Sequence, residues 1–140
     1  MDFHLRPFAP ADTAQVIDLW NAAGLTRPWN DPVIDIERAH TTWPENFLVA
    51  TDTPVHIAGT VMSGFDGHRG WLYYLAVTPE HRGNGLGSKL VHEAERRLAA
   101  QGCVKVQLMV RSDNAAALGF YDALGYEHSD VIVAGKRLDG

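Results

Sequence analysis

"WLYYLAVTPEHRGNGLGSKL", Trp71 to Leu90, decides how this chain folds. Its first seven residues are a strand too uniformly apolar to keep a wet face. The link "TPEH" follows, and then Gly83, Gly85 and Gly87 stand at alternate positions behind Arg82, at the mouth of a helical pattern. Glycine costs stability wherever neither positive φ nor close approach is required, so this spacing points to backbone laid against a ligand. A strand, a bare loop and a helix start together set free N–H groups and the positive helix end against an anion, here a phosphate.

Spacing excludes two common phosphate loops. A Walker A loop needs Gly-x-x-x-x-Gly-Lys-Ser/Thr, but Ser88 separates Gly87 from Lys89. A dinucleotide fingerprint counted from Gly83 finds Gly85 third but Ser88 sixth, with no acid about 20 residues on to hold a ribose. "HEAER" at His92 begins like a metal-protease helix, yet Arg96 stands where the second histidine belongs. The seven histidines show no ligand spacing, so no metal site is expected.

Outward from the loop, "FHLRPF" reads as a first strand. "ADTAQVIDLWNAAG" reads as a helix with an Asp12–Gln15 capping box, an apolar stripe of Val16, Leu19, Trp20 and Ala23, and a stop at Gly24. "LTRPWNDP" breaks the chain, and "VIDIERAHTTW" is a second short helix entered at Pro32. "NFLVAT" and "VHIAGTVMSGF" form a hairpin across "DTP", and "DGHRG" turns the chain into the strand at Trp71. The helix after the loop carries Leu86, Leu90, Ala94 and Leu98 on one stripe and ends at Gly102. "VKVQLMV" is a strand, "DNAAALGFYDALG" a helix with Ala117, Phe120, Tyr121 and Leu124 facing inward, and "DVIVAGKRL" a closing strand. The order β-α-α-β-β-β-α-β-α-β describes a mixed sheet with helices on its faces, an α/β or α+β layer architecture.

The chain of 140 residues, with no repeat or linker, reads as one domain, 1–140. Apolar residues at 46% and charged ones at 21% are those of a packed globular protein. The first residues do not read as a signal peptide and no apolar run is long enough to cross a bilayer, so a cytoplasmic protein without a membrane partner is expected. Cys103 is the only cysteine, which excludes an intramolecular disulfide and fits a core thiol better than a nucleophile. Nine acids and three bases in 1–66, against eight and nine in 67–140, argue against a nucleic-acid partner. The acidic front half would draw a cationic substrate, or would simply be a solvated surface.

What fits the loop is Arg82-x-x-Gly85-x-Gly87. With its flanks, "LAVTPEHRGNGLGSKL" resembles the acetyl-CoA pyrophosphate loop of the GNAT superfamily of N-acetyltransferases and its Gln/Arg-x-x-Gly-x-Gly/Ala signature. "VRSDNAAALGFYDALGYEH" resembles that family's later segment, and the order of elements matches along the chain. "LTRPWNDP" and "GFDGHRG" further resemble small bacterial members of the YpeA type.

The resemblance implies the acyl-CoA N-acyltransferase fold, acetyl-CoA as co-substrate, no metal, and a small-molecule or peptide amine as acceptor; a homodimer stays open. It implies that Arg82, Gly83, Asn84, Gly85, Leu86, Gly87 and Ser88 wrap the pyrophosphate. Leu75, Ala76 and Val77 would pair with the pantetheine arm, their backbone N–H holding the thioester carbonyl. Tyr121 would act as general acid at the departing thiolate, a role a phenol can fill, although its spacing also suits a core stripe. Asn114 would contact the pantetheine or cap its helix. The acetyl group would pass directly to the amine in a ternary complex. Many members place a basic carboxylate on the strand matching "WLYYLAV"; here there is none. Tyr73, Tyr74, Asp66, His68 and a water chain remain as routes for the amine proton, and a non-catalytic acyl-CoA sensor remains as the alternative function. Trp29, Asn30 and Asp31 in the loop Leu25–Pro32 would line an acceptor pocket, or form a proline-fixed turn.

Overall fold

The computed structural model describes residues 2–140, in two compact units, Met1–Leu108 and Met109–Gly140. The first unit holds one sheet in the order β1 (His4–Pro7), β2 (Phe47–Thr53), β3 (His56–Phe65), β4 (Gly70–Val77), β5 (Val106–Gln107). β1 to β4 are antiparallel neighbours and β5 joins β4 in parallel, giving the expected mixed sheet. Helices α1 (Thr13–Ala22), α2 (Pro32–Thr42) and α3 (Leu86–Ala100) belong to this unit. The second unit holds α4 (Ala115–Ala123).

Neighbouring residues of β3 show how the layers assemble, because successive side chains leave a strand on opposite faces. Gly59 faces α3: a Cβ there would meet Leu90 Cδ1 at 2.9 Å and Leu86 Cδ2 at 3.2 Å, so α3 seats only on a bare position. Thr60 faces α1, whose Trp20 indole donates to its hydroxyl at 2.9 Å. α1 and α3 therefore cover opposite faces. The stripe Leu86, Leu90, Ala94, Leu98 read from the sequence is fully buried, as are Val16 and Trp20 of α1. Phe8 stacks on Phe47 with centroids 4.5 Å apart and closes the core beside α1.

Four expectations are corrected. Asp12 and Gln15 form no capping box. The Asp12 carboxylate takes a two-pronged bond from Arg6, at 2.8 and 2.9 Å, plus the Ala9 amide, and these hold it below the usual carboxylate range. Gln15 instead reaches the β2–β3 turn, donating to Val55 O and accepting from Ile57 N. "VKVQLMV" is a strand over Val106–Gln107 alone, and "DVIVAGKRL" forms no strand. Val131, Ile132 and Val133 are 72%, 94% and 69% exposed: β-branched residues favour a strand only where a neighbouring strand supplies the ladder and the burial. The inward stripe of α4 is half-buried at best, and no residue of that helix is buried.

β4 departs from regular geometry in its middle. Thr60 pairs with Ala76 and Met62 with Tyr73, so Tyr74 and Leu75 together stand opposite Val61. This is a β-bulge, and Tyr74 takes φ +52°, the sole positive φ of a non-glycine among the described residues. Thr60, fully buried, donates its own hydroxyl to Tyr74 O in a hydrogen bond of 2.9 Å, while the Trp20 ring stacks on Tyr74 at 3.8 Å. Replacing Thr60 by valine keeps the volume but orphans both Trp20 Nε1 and Tyr74 O. Chemical denaturation should show a loss of about 1–3 kcal/mol.

Candidate active site

The loop after β4 is built to leave donors open. A 3-10 turn, Pro79–His81, leads into Arg82, and Gly83 and Gly85 take φ +83° and +80°. Gly85 is the N-cap of α3 with no side chain capping it. Among the described residues the amides of Gly83, Gly85, Leu86, Gly87 and Ser88 meet no protein acceptor; Asn84 N reaches His81 O only at 3.4 Å. A Cβ built on Gly83 or Gly85 would meet nothing within 4 Å, so space lies over the loop. Bare amides at the positive end of a helix fit the diphosphate of coenzyme A.

Charge around the loop is sorted. Arg96 binds Glu93 through two bonds, at 2.8 and 2.6 Å, and Arg97 adds one at 3.1 Å, drawing the Glu93 carboxyl down to about 2. Those two arginines are occupied. Arg82, exposed, and Lys89, whose Nζ lies 5.8 Å over the Phe3 ring, remain for a polyanion.

The loop is moored to β2. His81, 6% exposed, and His56 both bond the Asp52 carboxylate at 2.8 Å, through Nε2 and Nδ1. The His81 bond is the chief cause holding Asp52 below its ordinary pKa. A lowered pKa means stability that is complete above the unfolded value near 3.9 and is lost as pH falls through the folded value.

β4 supplies the next part. Only Gly70 and Trp71 pair with β5, so from Leu72 onward β4 has no strand on that side among the described residues. Thr78 N donates to Ala58 O across β3 at 2.8 Å. Amides alternate along a strand, so those of Val77 and Leu75 point to the open edge, and that of Ala76 toward β3. Leu75, Ala76 and Val77 thus sit between the bulge and the glycine loop. Asn114 and Tyr121 lie in the second unit, on α4. Asn114 Oδ1 accepts from Ala117 N at 3.1 Å, so it is the helix cap. Burial pushes the Tyr121 phenol up to about 12, and Phe120 and Tyr126 meet its ring edge-on.

A cavity of about 540 Å³ opens on the other side of the bulge, between α2 and the β3–β4 pair. Leu25 and Asn30, from the loop between α1 and α2, reach it; Asp31 instead caps α2 through Val33 N, and Trp29 is 56% exposed away from it. Tyr73 and Tyr74 line it from β4. Trp43 lies flat over Gly64 on its wall, where a Cβ would meet three ring carbons at 2.9 to 3.1 Å. Asp35 and Arg38 of α2 are its charged groups, and sequence reasoning passed over both. Their signal was the spacing Asp35, Arg38, Thr42 on one helix face opposite buried Ile36. Tyr74 Oη donates to Asp35 Oδ2 at 2.6 Å, and with burial, the larger cause, this raises its pKa far above the phenol norm. Tyr74 is therefore a donor and no base. Asp66 is equally committed, taking the amides of Arg69 and His68 at 2.7 and 2.8 Å and the Trp71 indole at 3.2 Å.

A bulged strand beside an amide-lined loop, in a mixed sheet covered by helices, defines the acyl-CoA N-acyltransferase class of fold. The sequence matches the Acetyltransferase (GNAT) family over residues 14–126, and the chain belongs to that family. Among solved structures, Ard1 from Thermoplasma volcanium is 27% identical with TM-score 0.81, over 96% of this chain and 86% of that one. The NatC complex bound to Gag peptide and CoA is 25% identical at TM-score 0.74, over 89% and 84%. AAC(6')-Iy, in complex with a bisubstrate analogue, shares the fold at TM-score 0.80 and 17% identity, over 98% and 99%. Acyl transfer from acetyl-CoA is the family's chemistry. No helix among the described residues is long and apolar enough to cross a membrane.

Two measurements check the loop and its mooring. Gly85→Ala forces alanine into left-handed φ, costing about 1–2 kcal/mol of stability. It should also weaken CoA binding about tenfold in calorimetry, the worth of one charge-assisted hydrogen bond. Gly102→Ala, at φ +94° beyond the far end of α3, should cost stability and leave CoA affinity unchanged. Asp52→Asn should flatten the loss of stability with acidification below about pH 4, read by denaturation across that range.

Proposed function

We propose that the chain is an N-acetyltransferase that passes the acetyl group of acetyl-CoA directly to a primary amine in a ternary complex, with no covalent enzyme intermediate. The observation that carries it is the set of unpartnered amides at Gly83, Gly85, Leu86, Gly87 and Ser88, beside a strand edge left open at Leu75 and Val77. Acetyl-CoA would supply the activated thioester. Arg82, Asn84 and the loop amides would hold its diphosphate, and the Leu75 and Val77 amides would face its arm, where a fixed N–H stabilises charge developing on a carbonyl oxygen. The family match runs across the boundary at Leu108, which supports reading both units as one functional domain, 1–140.

Tyr121 would serve the leaving group. A phenol at about 12 stays protonated at neutral pH, ready to donate to a thiolate whose own pKa is near 8.5. That gap makes its contribution a hydrogen bond that strengthens as charge reaches sulfur, more than a completed proton transfer. Cys103 is no rival nucleophile: its thiol donates to Lys105 O at 3.3 Å and packs where a Cβ on Gly70 would meet it at 2.8 Å. A lone thiol also suits a reducing compartment such as the cytoplasm. The peptide in the NatC structure supports an amine acceptor, peptide or small molecule.

Calorimetry with CoA and thiol release across a panel of amines test this reading. CoA uptake with release above background is expected; uptake without release would leave an acyl-CoA sensor, and no uptake would end the reading. Tyr121→Phe should lower kcat by about ten- to a hundredfold and leave CoA affinity nearly intact.

A further inference from the structure

We infer that the cavity beside the β4 bulge is an acceptor site for a free α-amino acid with an apolar side chain, Asp35 receiving its ammonium and Arg38 its carboxylate. The inference rests on the transferase reading and names its substrate class.

Asp35 and Arg38 stand one helical turn apart on α2 and both face the cavity. Opposite charges at this spacing ordinarily pair with each other. Here they do not: Asp35 bonds the Tyr74 hydroxyl, and Arg38 has no hydrogen-bond or ion-pair partner among the described residues. A cation and an anion held on one wall without meeting are complementary to a molecule that carries both charges close together. The order of the two is set by Tyr74. It fastens Asp35 at the bulge, next to the strand residues proposed to face the thioester, so the ammonium end belongs there and the carboxylate end at Arg38. The planar guanidinium offers paired donors that match a carboxylate.

Most of the remaining wall is apolar, from Leu25, Ala39, Trp43 and Met62, with Asn30, Thr42, Ser63 and Tyr73 adding polar groups. At about 540 Å³ the cavity falls within the roughly 300–1,000 Å³ of small-molecule sites and exceeds what the two charged groups fill. Leucine, methionine and phenylalanine supply the matching bulk.

The test uses the full chain with acetyl-CoA and three forms of each acceptor: the free amino acid, its α-amide, and the amine without the carboxyl group. Thiol release gives KM and kcat, and calorimetry on CoA-loaded protein gives acceptor affinity apart from turnover. At least one apolar amino acid should show KM lower by about tenfold or more than its amide and its amine. Arg38→Gln, an exposed substitution verified by thermal melting, should erase that advantage in both readouts while kcat and KM for the bare amine stay unchanged. Equal use of all three forms overturns the inference and leaves the transferase standing. So does a preference for short peptides to which Arg38→Gln is silent, or a loss in Arg38→Gln shared by the bare amine. Failure to bind CoA at all removes the transferase reading and this inference with it.

Discussion

Tyr74 keeps a positive φ because three contacts make any other conformation worse. Its carbonyl takes the Thr60 hydroxyl, its ring lies against Trp20, and its own hydroxyl is tied to Asp35. Left-handed backbone at a bulky residue is costly, and here the buried Thr60 hydroxyl would lose its acceptor, and the Trp20 ring its stacking partner, if it relaxed. The bulge that results separates the two halves of the strand. On one side Leu75 to Val77 run toward the glycine loop; on the other Tyr73 and Tyr74 look into the cavity. Helix α1 thus sets the working geometry of β4 from beneath, without itself contributing a reacting group.

The two ends of the site are organised differently. Around the proposed acyl position, positioning comes from a bulge locked by buried hydrogen bonds. Around the proposed phosphate site it comes from backbone that the protein leaves unsatisfied: the α3 N-terminus has no capping side chain, and its amides have no protein acceptor. The cost of unsatisfied donors is lowest at Gly83 and Gly85, which are exposed to water. What keeps so bare a loop in place is its ends, the packed Leu86 behind and the His81–Asp52 bond before it.

The loop and α3 were legible in the sequence because their signals are local. Glycine spacing reports φ, and the Leu86, Leu90, Ala94, Leu98 period reports a buried face, whatever the rest of the chain does. The family resemblance then carried the topology. The cavity was not legible, since Asp35 becomes a site residue only through Tyr74, a residue 39 positions later whose bulge no local pattern signals. Residues 130–138 failed for the converse reason: their composition suits a strand, but a strand exists only with a neighbour. Asp12 and Gln15 matched a capping motif, and Arg6 and Ile57 proved the stronger partners. Asn114, left open between two roles, does cap α4.

Position 64 gives the cavity an adjustable wall. Trp43 rests flat on the bare α-carbon of Gly64, with no room for even one methyl. Any side chain introduced there must push the indole off its seat and redraw the space proposed for the acceptor. Evolution or an engineer could therefore retune which molecules enter by altering one backbone-lining position, with the strained strand and the glycine loop untouched.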